Sequence, residues 1–416
     1  MNDFPHAPPG ASQEGEPPPR RPSRRKVLAA IAVSAAATAP LLSAGPADAA
    51  PDRRGDLLYI GTWKQNQVHA VRFDPGDGTM TSLGPVAQVS SNWVVAHPAR
   101  PVLYVAGDEQ GGYIRVFHID DGSGALHQVG ELATESAPGV TGGLSYFGLT
   151  ADAETLLAAD FPAGTAVTVP VHSDGGLGSV ASRVQDTGSG PNPRQQGPHP
   201  HHVVVDPSGS YVLVADFGAD RVFVYEYDAA TRRMSRGTPD GPGAYATAPG
   251  SGPRRLAFHP HGRAVYLLNE LTADIQVLHW DRRHGVLTTH QILSTNAPDH
   301  TGTTSAAELA VSRDGRFVYT SNRGDNTLVV FSANPGTGLL TEIQRIPCGG
   351  VTPWSFSLHP DGRWLFVANE ASGTVNLFRV DPSSGRLTDT GNSVAVPYPD
   401  CITFRVGGRR HAAGRS

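Results

Sequence analysis

Cysteine is nearly missing from this chain of 416 residues, which has only Cys348 and Cys401. A framework of several disulfides, or a zinc site built from several thiolates, is therefore excluded. After the first 49 residues, no apolar run is long enough to predict a membrane span. The sequence also has no G-x-S-x-G motif and no Walker loop, which argues against a serine nucleophile and a nucleotide-phosphate loop.

Short apolar runs joined by tight turns recur along the chain, which contains 48 glycines and 35 prolines. Each copy has an apolar run, a turn close to His/Asp-Pro-x-Gly-Arg, and a second apolar run ending in Asn or Asp. The copies are LAFHPHGRAVYLLNE at 256–270, LAVSRDGRFVYTSNRG at 309–324, FSLHPDGRWLFVANE at 356–370, and weaker ones at 94–108, 148–161 and 203–218. The pattern predicts hairpins of two buried strands, A and B, followed by an alternating strand C and a weaker strand D.

The spacing of these hairpins predicts the fold. Their turns recur every 47–56 residues, which is the content of one four-stranded propeller blade. A seventh unit is split between the termini, since 57–63 and 67–74 predict strands B and C, whereas 399–406 predicts the missing strand A. The fold class is therefore all-β, a seven-bladed β-propeller whose last blade is closed by N-terminal strands plus a C-terminal strand. A β-sandwich would not need the split unit.

The N-terminus has the features of a twin-arginine signal peptide. Residues 23–28 read SRRKVL, an alanine-rich stretch follows, and an Ala-x-Ala site ends at Ala49. We expect passage through the twin-arginine export machinery, cleavage after Ala49 and a secreted product. The alternative is a proline-rich disordered tail with chance arginines. The predicted domains are the signal peptide at 1–49, the propeller at 50–406 and a disordered tail at 407–416.

The charge and cysteine content of the mature part limit its partners and cross-links. The chain carries a net charge of −5, and the leader contains five basic and four acidic residues, so removal of the leader leaves −6. This charge argues against a nucleic-acid partner, and we expect a monomer without a membrane anchor. Export permits a disulfide between Cys348 and Cys401. Neighbouring blades could hold them too far apart, so two separate buried thiols are expected.

Non-repeating polar side chains are predicted to share one end of the ring. Because strands A and B are antiparallel, the start of each A lies beside the end of each B. The residues at these places that could bind or react are His199, His201, His202, Arg254, Glu270, Glu308, Arg323 and Trp354. Arginine binds carboxylates and stabilises oxyanions, and Glu or His transfers protons. This mixture indicates an anionic or carbonyl-bearing ligand.

Repetition distinguishes structural residues from site candidates. Residues that recur at equivalent places, and are therefore expected to be structural or on the surface, are Asp216, Asn269, Asn322, Asn369, His97, His259, His359, Arg263, Arg316 and Arg363. Arg254, Glu270, Glu308 and Arg323 do not recur, which favours a specific function. Simple strand alternation predicts that His201 and His202 point to opposite faces. Three histidines near two glutamates could hold a metal, but the arginines disfavour a cation, so no metal or other cofactor is expected.

Seven motifs of the chain carry a family resemblance. They are YIGTW at 59–63, GPHPHHVVVDPSG at 197–209, DFGADRV at 216–222, GPRRLAFHPHGR at 252–263, NEL at 269–271, AAELAVSRDGRFVYTSNRG at 306–324 and VPYPDCITF at 396–404. Together they resemble the lactonase family of seven-bladed propellers. This family includes cycloisomerase-type 6-phosphogluconolactonases and the fungal carboxymuconate lactonizing enzyme. The resemblance covers about residues 57–406.

The resemblance implies which residues are active. The family's His of the PHPH segment, Arg of GPRH, Glu of NEL and Arg of SNRG fall on His201 (or His199), Arg254, Glu270 and Arg323. The chain departs from the family at two places. Arg255 stands where the family usually has His, and Trp354 follows Pro353 where the family usually has Arg. The loss of an arginine and the gain of an indole make that side of the pocket less suited to a phosphate.

The combined expectation is an exported lactonase that opens a sugar-type lactone ring. Arginines would stabilise the oxyanion, Glu270 or His201 would be the general base, and His199, Glu308 and Trp354 would contact a lactone or sugar acid. Export favours an unphosphorylated substrate, although the family suggests 6-phosphogluconolactone. Two alternatives remain open: a non-catalytic propeller that binds carbohydrate or protein, and a muconate-type cycloisomerase that uses the same groups.

Overall fold

The computed structural model describes residues 55–107, 112–134, 143–236 and 243–406. Within these ranges the regular structure is entirely β-strand, and no helix is long and apolar enough to cross a bilayer. The chain divides into Met1–Asp52 and Arg53–Ser416. The predicted signal peptide, its cleavage site and the predicted tail at 407–416 lie outside the described residues, and they stay predictions.

The described strands form seven antiparallel sheets, which are the seven predicted blades. Blade 1 contains β1 (Asp56–Thr62), β2 (Gln67–Asp74), β3 (Thr79–Gln88) and β29 (Pro399–Arg405); blade 2 contains β4 (Trp93–Ala96), β5 (Val102–Ala106), β6 (Tyr113–Ile119) and β7 (Leu126–Ala133). Blade 3 contains β8 (Leu144–Leu149), β9 (Thr155–Asp160), β10 (Thr165–Pro170) and β11 (Ser182–Gln185); blade 4 contains β12 (Pro200–Val205), β13 (Tyr211–Asp216), β14 (Arg221–Asp228), β15 (Arg233–Ser235) and β16 (Ala244–Ala246). Blade 5 contains β17 (Pro253–Phe258), β18 (Ala264–Asn269), β19 (Asp274–Asp281) and β20 (Val286–Ser294). Blade 6 contains β21 (Ala306–Val311), β22 (Phe317–Asn322), β23 (Thr327–Ala333) and β24 (Leu340–Pro347); blade 7 contains β25 (Pro353–Leu358), β26 (Trp364–Asn369), β27 (Thr374–Val380) and β28 (Leu387–Ala395).

The split seventh unit closes the ring as predicted. The C-terminal strand β29 is the innermost strand of blade 1 and pairs with β1, with Leu58 opposite Phe404 and Ile60 opposite Ile402. Blade 1 therefore joins the two ends of the propeller in one sheet. This pairing gives hydrogen-bond partners to the backbone N–H and C=O groups that β1 would otherwise expose at a sheet edge.

Burial explains why the repeated phrase is recognisable in the sequence. The second strand of a repeat is almost entirely buried, as in β18, β22 and β26, because it packs between neighbouring blades. The outermost strands, such as β20, are mostly exposed and have a weaker pattern. The glycine of the turn between strands A and B has a left-handed backbone, with φ of 73° at Gly262 and 75° at Gly362, which other residues adopt only with strain.

Apolar clusters fill the interfaces between neighbouring blades all the way round. Leu58 and Phe73 of blade 1 pack with Phe366 of blade 7, whereas Tyr59 of blade 1 packs with Val105 of blade 2. Blade 1 is thus covered on both sides, and the other five interfaces have equivalent clusters. In a propeller, each blade buries its apolar surface only against its two neighbouring blades.

The two cysteines are separate. Cys348 and Cys401 are both buried free thiols, as expected. Burial raises the pKa of Cys348 to about 11, so this thiol is protonated and unreactive at neutral pH.

Candidate active site

One end of the ring gathers the starts of the A strands and the ends of the B strands, and we call this end the mouth. In four blades a proline at the start of the A strand pairs with the last residue of the B strand, as in Pro253 with Asn269 and Pro353 with Asn369. The predicted shared face is therefore present in the structure. The repeated residues at the B ends are structural as expected: Asn369 and Asp216 are fully buried, and Asp216 accepts hydrogen bonds from the His199 and Ala219 amides.

A bulge at the second residue of the inner strands shapes the mouth. In β12 the register shifts between Pro200 and His202, so that His201 is an extra residue. The same shift lies between Pro253 and Arg255 in β17, and blades 3, 6 and 7 have it as well. A bulge changes the direction in which side chains point, so that neighbouring residues no longer alternate strictly between the two faces of the strand. Strict alternation therefore does not hold at His201 and His202, and the charges of Arg254 and Arg255 of blade 5 act on both histidines.

The residues that follow the bulge fill the middle of the ring. Arg255 lies 4.4 Å over the Trp93 ring and 5.0 Å over the Tyr146 ring, and its Nε is 3.0 Å from Glu308 Oε1. Blades 2 and 5 are not neighbours, so the contact between Arg255 and Trp93 crosses the ring. His202 packs on Tyr146 with their ring centroids 4.0 Å apart. This layer closes the centre beneath the mouth, and it explains why Arg255 is tolerated here: Glu308 balances its charge.

Above this layer, Glu270 binds three arginines. Its Oε2 accepts hydrogen bonds from Arg254 Nε at 2.9 Å and lies 2.9 Å from Arg323 Nη2. Its Oε1 accepts from Arg194 Nη1 at 2.7 Å. The cluster combines three positive charges with one negative charge, and it lies where blades 4, 5 and 6 meet at the mouth. Such an excess of guanidinium favours an anion or a developing oxyanion.

The three arginines differ in how far they reach into solvent. Arg254 is only 1% exposed and also donates to the Ala307 carbonyl, so it lies beneath the others. The side chain of Arg323 is 11% exposed and that of Arg194 is 40% exposed. Arg194 lies in the loop before β12, over the Phe217 ring at 4.6 Å. Arg323 and Arg194 therefore face a ligand more directly than Arg254 does.

The electrostatics of the cluster fix its protonation states. Burial alone would raise the pKa of Glu270, but Arg323, Arg194 and Arg254 outweigh it and hold this pKa well below its usual range. Burial, together with Arg323 and Arg255, lowers the pKa of Arg254 to about 9. Both groups are therefore charged at neutral pH, and Glu270 is a weak base.

The two histidines of the PHPH segment have different surroundings. Burial and the charges of Arg254 and Arg255 hold the pKa of His201 well below its ordinary value, so its imidazole is neutral at neutral pH. The Nδ1 atom of His201 has no hydrogen-bond partner among the described residues. His199 stacks on Phe161 with a centroid distance of 4.4 Å, and its Nδ1 lies 2.8 Å from the Phe161 carbonyl. The His201 Nδ1 is thus buried and unpaired among the described residues, whereas the His199 ring is held by Phe161.

An aromatic wall borders the arginines. Trp354 lies under the Arg323 guanidinium at 4.5 Å and stacks on Trp63 at a centroid distance of 5.7 Å. Trp63 follows β1 and Trp354 follows Pro353 of β25, so the wall joins blades 1 and 7 across the closure of the ring. Stacked indoles offer the flat apolar surface on which a sugar ring packs.

Three residues at the mouth were not among the predicted site residues: Trp63, Arg194 and Glu370. Arg194 lies in an irregular loop that no repeat marks. Glu370 follows Asn369 as Glu270 follows Asn269, so the repeated Asn-Glu pair was a usable signal. Among the described residues, no group of three or more His, Cys, Asp and Glu side chains is arranged to hold a metal ion.

Comparison with known proteins identifies the family. The sequence pattern of the family described as "Lactonase, 7-bladed beta-propeller" matches residues 57–404. The chain belongs to this family. The 6-phosphogluconolactonase of Bacillus subtilis (strain 168) is 30% identical to this family member over 353 residues, which are 83% of this chain and 97% of that protein.

Solved structures agree with the assignment to the lactonase family. The periplasmic gluconolactonase of Pseudomonas aeruginosa superposes with a TM-score of 0.76 at 32% identity, covering 85% of this chain and 99% of that one. A protein from Lactobacillus plantarum superposes with a TM-score of 0.76 at 30% identity, covering 84% and 99%. The expectation of a lactonase-family hydrolase with a propeller fold is therefore confirmed. The roles of individual residues stay predictions.

Proposed function

We propose that this lactonase-family protein opens a sugar-type lactone ring by adding water to the ester carbonyl. The observation that carries the proposal is the binding of Glu270 to three guanidiniums at the mouth. Negative charge develops on the carbonyl oxygen as water attacks, and preorganised donors stabilise it in the transition state. The fixed excess of positive charge beside the aromatic wall suits this chemistry.

The arginines take different parts in the proposed reaction. Arg323 and Arg194 reach the mouth and contact the carbonyl oxygen or an anionic group of the substrate. Arg254 lies beneath them and holds Glu270 in place. Glu270 keeps the three guanidiniums in fixed positions. Preorganised guanidiniums do not have to rearrange when charge develops, and one donor of this kind contributes roughly 10²–10³-fold in rate.

His201 is the proposed general base. The sequence left Glu270 and His201 as alternatives. Both carboxylate oxygens of Glu270 are already bound by arginines, and its depressed pKa makes it a poor proton acceptor. His201 is neutral and its Nδ1 is unpaired among the described side chains. A base in this position contributes on the order of 10²–10⁴-fold.

The aromatic wall supports an unphosphorylated substrate. Trp354 and Trp63 offer a flat apolar surface beside Arg323, where the family usually has a further arginine. Packing of a sugar ring on the indoles gains apolar contact, whereas a phosphate loses a bidentate partner. Export through the predicted signal peptide also favours an unphosphorylated lactone, and the Pseudomonas aeruginosa neighbour is described as periplasmic.

The proposal is tested by measuring ring opening directly. Purified mature protein, from residue 50 onwards, is mixed with glucono-1,5-lactone or its 6-phosphate, and acid release is followed by pH-stat. We expect rates above buffer with both, and a higher kcat/KM for the unphosphorylated lactone. Rates equal to buffer with both lactones contradict the proposed function. A higher kcat/KM for the phosphate contradicts the substrate class only.

Restoring the family's arginine is expected to change the substrate preference. In Trp354→Arg, the ratio of kcat/KM for the phosphorylated over the unphosphorylated lactone should rise about tenfold, which corresponds to about 1.4 kcal/mol. Trp354→Phe is the matched control, because it keeps a flat ring and should leave the ratio within about twofold. An unchanged ratio in Trp354→Arg would show that the wall does not contact the sixth carbon of the substrate.

The wall also favours one second function, a propeller that binds carbohydrate without turnover. The stacked Trp63 and Trp354 carry this alternative, since propellers host many functions. Under this alternative the sugar lactone or sugar acid binds, Trp354→Ala weakens binding, and no acid is released above the buffer rate.

A further inference from the structure

Glu370 lies at the mouth, and neither the resemblance nor the roles above use it. It follows the last residue of β26, as Glu270 follows β18 and Arg323 follows β22. Its amide donates to the Thr352 carbonyl at 2.9 Å, which places it beside the start of the same blade's inner strand. Glu370 therefore extends the row of mouth residues from blades 5 and 6 into blade 7, next to Trp354.

The surroundings of Glu370 differ from those of Glu270. Among the described residues it forms an ion pair with Lys64, whose Nζ lies 3.9 Å from Oε1 and whose side chain is 63% exposed. Lys64 also lies 5.5 Å over the Tyr398 ring. Arg323, which is bound to Glu270 and stacked on Trp354, also favours the charged form of Glu370 and lowers its pKa. Glu370 is 9% exposed, so this carboxyl is largely withdrawn from water and only loosely paired.

This environment opposes ionisation. Burial raises the pKa of Glu370 above its ordinary value, and Lys64 and Arg323 offset only part of that effect. The pKa of His201, across the mouth on blade 4, is lowered instead, because burial, Arg254 and Arg255 outweigh Glu270. Two groups whose pKa values are pushed apart in this way are suited to the separate roles of acid and base.

We propose that Glu370 is the general acid that protonates the ring oxygen of the lactone as it leaves. The inference rests on the proposed function and adds a catalytic residue to it. The order of the blades places the base His201 on blade 4, the arginines around Glu270 on blades 4 to 6, and the acid on blade 7. A lactone carbonyl held by the arginines would thus have a proton acceptor on one side and a proton donor on the other.

In the proposed reaction, protons move between water, His201, Glu370 and the ring oxygen. His201 takes a proton from water while the water oxygen bonds to the carbonyl carbon, and the π electrons move to the carbonyl oxygen near Arg323. The oxyanion then reforms the carbonyl, the bond from that carbon to the ring oxygen breaks, and the Glu370 carboxyl gives its proton to the departing oxygen. The imidazolium returns its proton to the Glu370 carboxylate through solvent, and the product acid ionises.

The first test is the substitution Glu370→Gln, which keeps the shape but cannot donate the proton. We expect kcat for glucono-1,5-lactone to fall at least 100-fold, with KM changed less than about threefold. The matched control is Glu342→Gln on the exposed strand β24, whose carboxylate pairs with Arg345, and it should keep wild-type kcat. Thermal unfolding of both variants shows whether the fold is intact.

The second test measures how kcat/KM depends on pH. A purely structural role of Glu370 would leave this dependence unchanged. A required acid makes kcat/KM fall as the pH rises through the pKa of Glu370. Lys64→Met removes a cation that favours the carboxylate, so the pKa of Glu370 rises further and the alkaline limb shifts to higher pH. The acid limb, which reports His201 beside Arg254, Arg255 and Glu270, should stay in place.

The outcomes separate this inference from the proposed function. A wild-type enzyme whose Glu370→Gln variant keeps kcat within threefold overturns the role of Glu370 and leaves the lactonase proposal standing. A shift of the acid limb in Lys64→Met also overturns it, because Glu370 would then act as the base. A wild-type protein that opens no lactone overturns both. A 100-fold loss together with a shifted alkaline limb supports the general acid.

Discussion

Replacing Glu270 with glutamine is expected to lower the free energy of unfolding by about 3–5 kcal/mol, because a buried ion cluster would lose its only anion. Glu270 is buried and holds Arg254, Arg323 and Arg194 within 2.9 Å. Glutamine keeps the size of the side chain but leaves three guanidiniums uncompensated. Urea denaturation at pH 7, followed by tryptophan fluorescence, measures the loss.

The pH dependence of stability checks the physical cause. The native pKa of Glu270 is depressed below its ordinary value of 4.5, so its stabilisation is fully present above that value and is lost as the pH falls below it. The difference between wild type and Glu270→Gln should therefore shrink below about pH 4. Glu342→Gln is the surface control, and it should cost about 0–1 kcal/mol. A loss of less than 1 kcal/mol in Glu270→Gln would contradict the picture of a buried cluster held by one carboxylate.

Replacing Arg323 with lysine is expected to lower kcat for the lactone by about 100–1000-fold. Lysine keeps the charge but loses the planar fork that reaches Glu270 and lies on Trp354 at 4.5 Å. Because the oxyanion exists only in the transition state, the loss should appear mainly in kcat and less in KM. Steady-state kinetics on the same lactone measure both constants.

The matched control for Arg323 lies in the same blade. Arg316 is an exposed arginine at the turn between β21 and β22, where it pairs with Asp314 at 2.7 Å. Arg316→Lys should leave kcat within about twofold of wild type. An equal kcat in Arg323→Lys and Arg316→Lys would remove Arg323 from the proposed oxyanion site.

The ring and its closure could be predicted from the sequence because the A–B hairpin repeats. Buried strands such as β18, β22 and β26 have nearly the same pattern, and antiparallel pairing then places all their ends at one mouth. Arg323, which does not repeat at those ends, could be selected as a candidate for the same reason, whereas Glu270 recurs as Glu370.

The details that decide chemistry could not be predicted in this way. A bulge adds one residue without changing the apolar pattern, so the register shift at His201 could not be predicted from the sequence. Arg194 is positioned by a loop with no repeat, in which the buried Gln195 donates to the Phe217 carbonyl. The ion pair between Arg255 and Glu308 could not be predicted, because the repeat does not show which side chains of neighbouring blades meet at the centre of the ring.

The most direct test of a lactone-opening mouth is a crystal structure of the mature protein with gluconate, the ring-opened product. We expect the gluconate carboxylate within hydrogen-bond distance of Arg323 or Arg194, and its carbon chain against Trp354. Gluconate bound at any place other than the mouth, with the cluster around Glu270 untouched, would contradict the proposal.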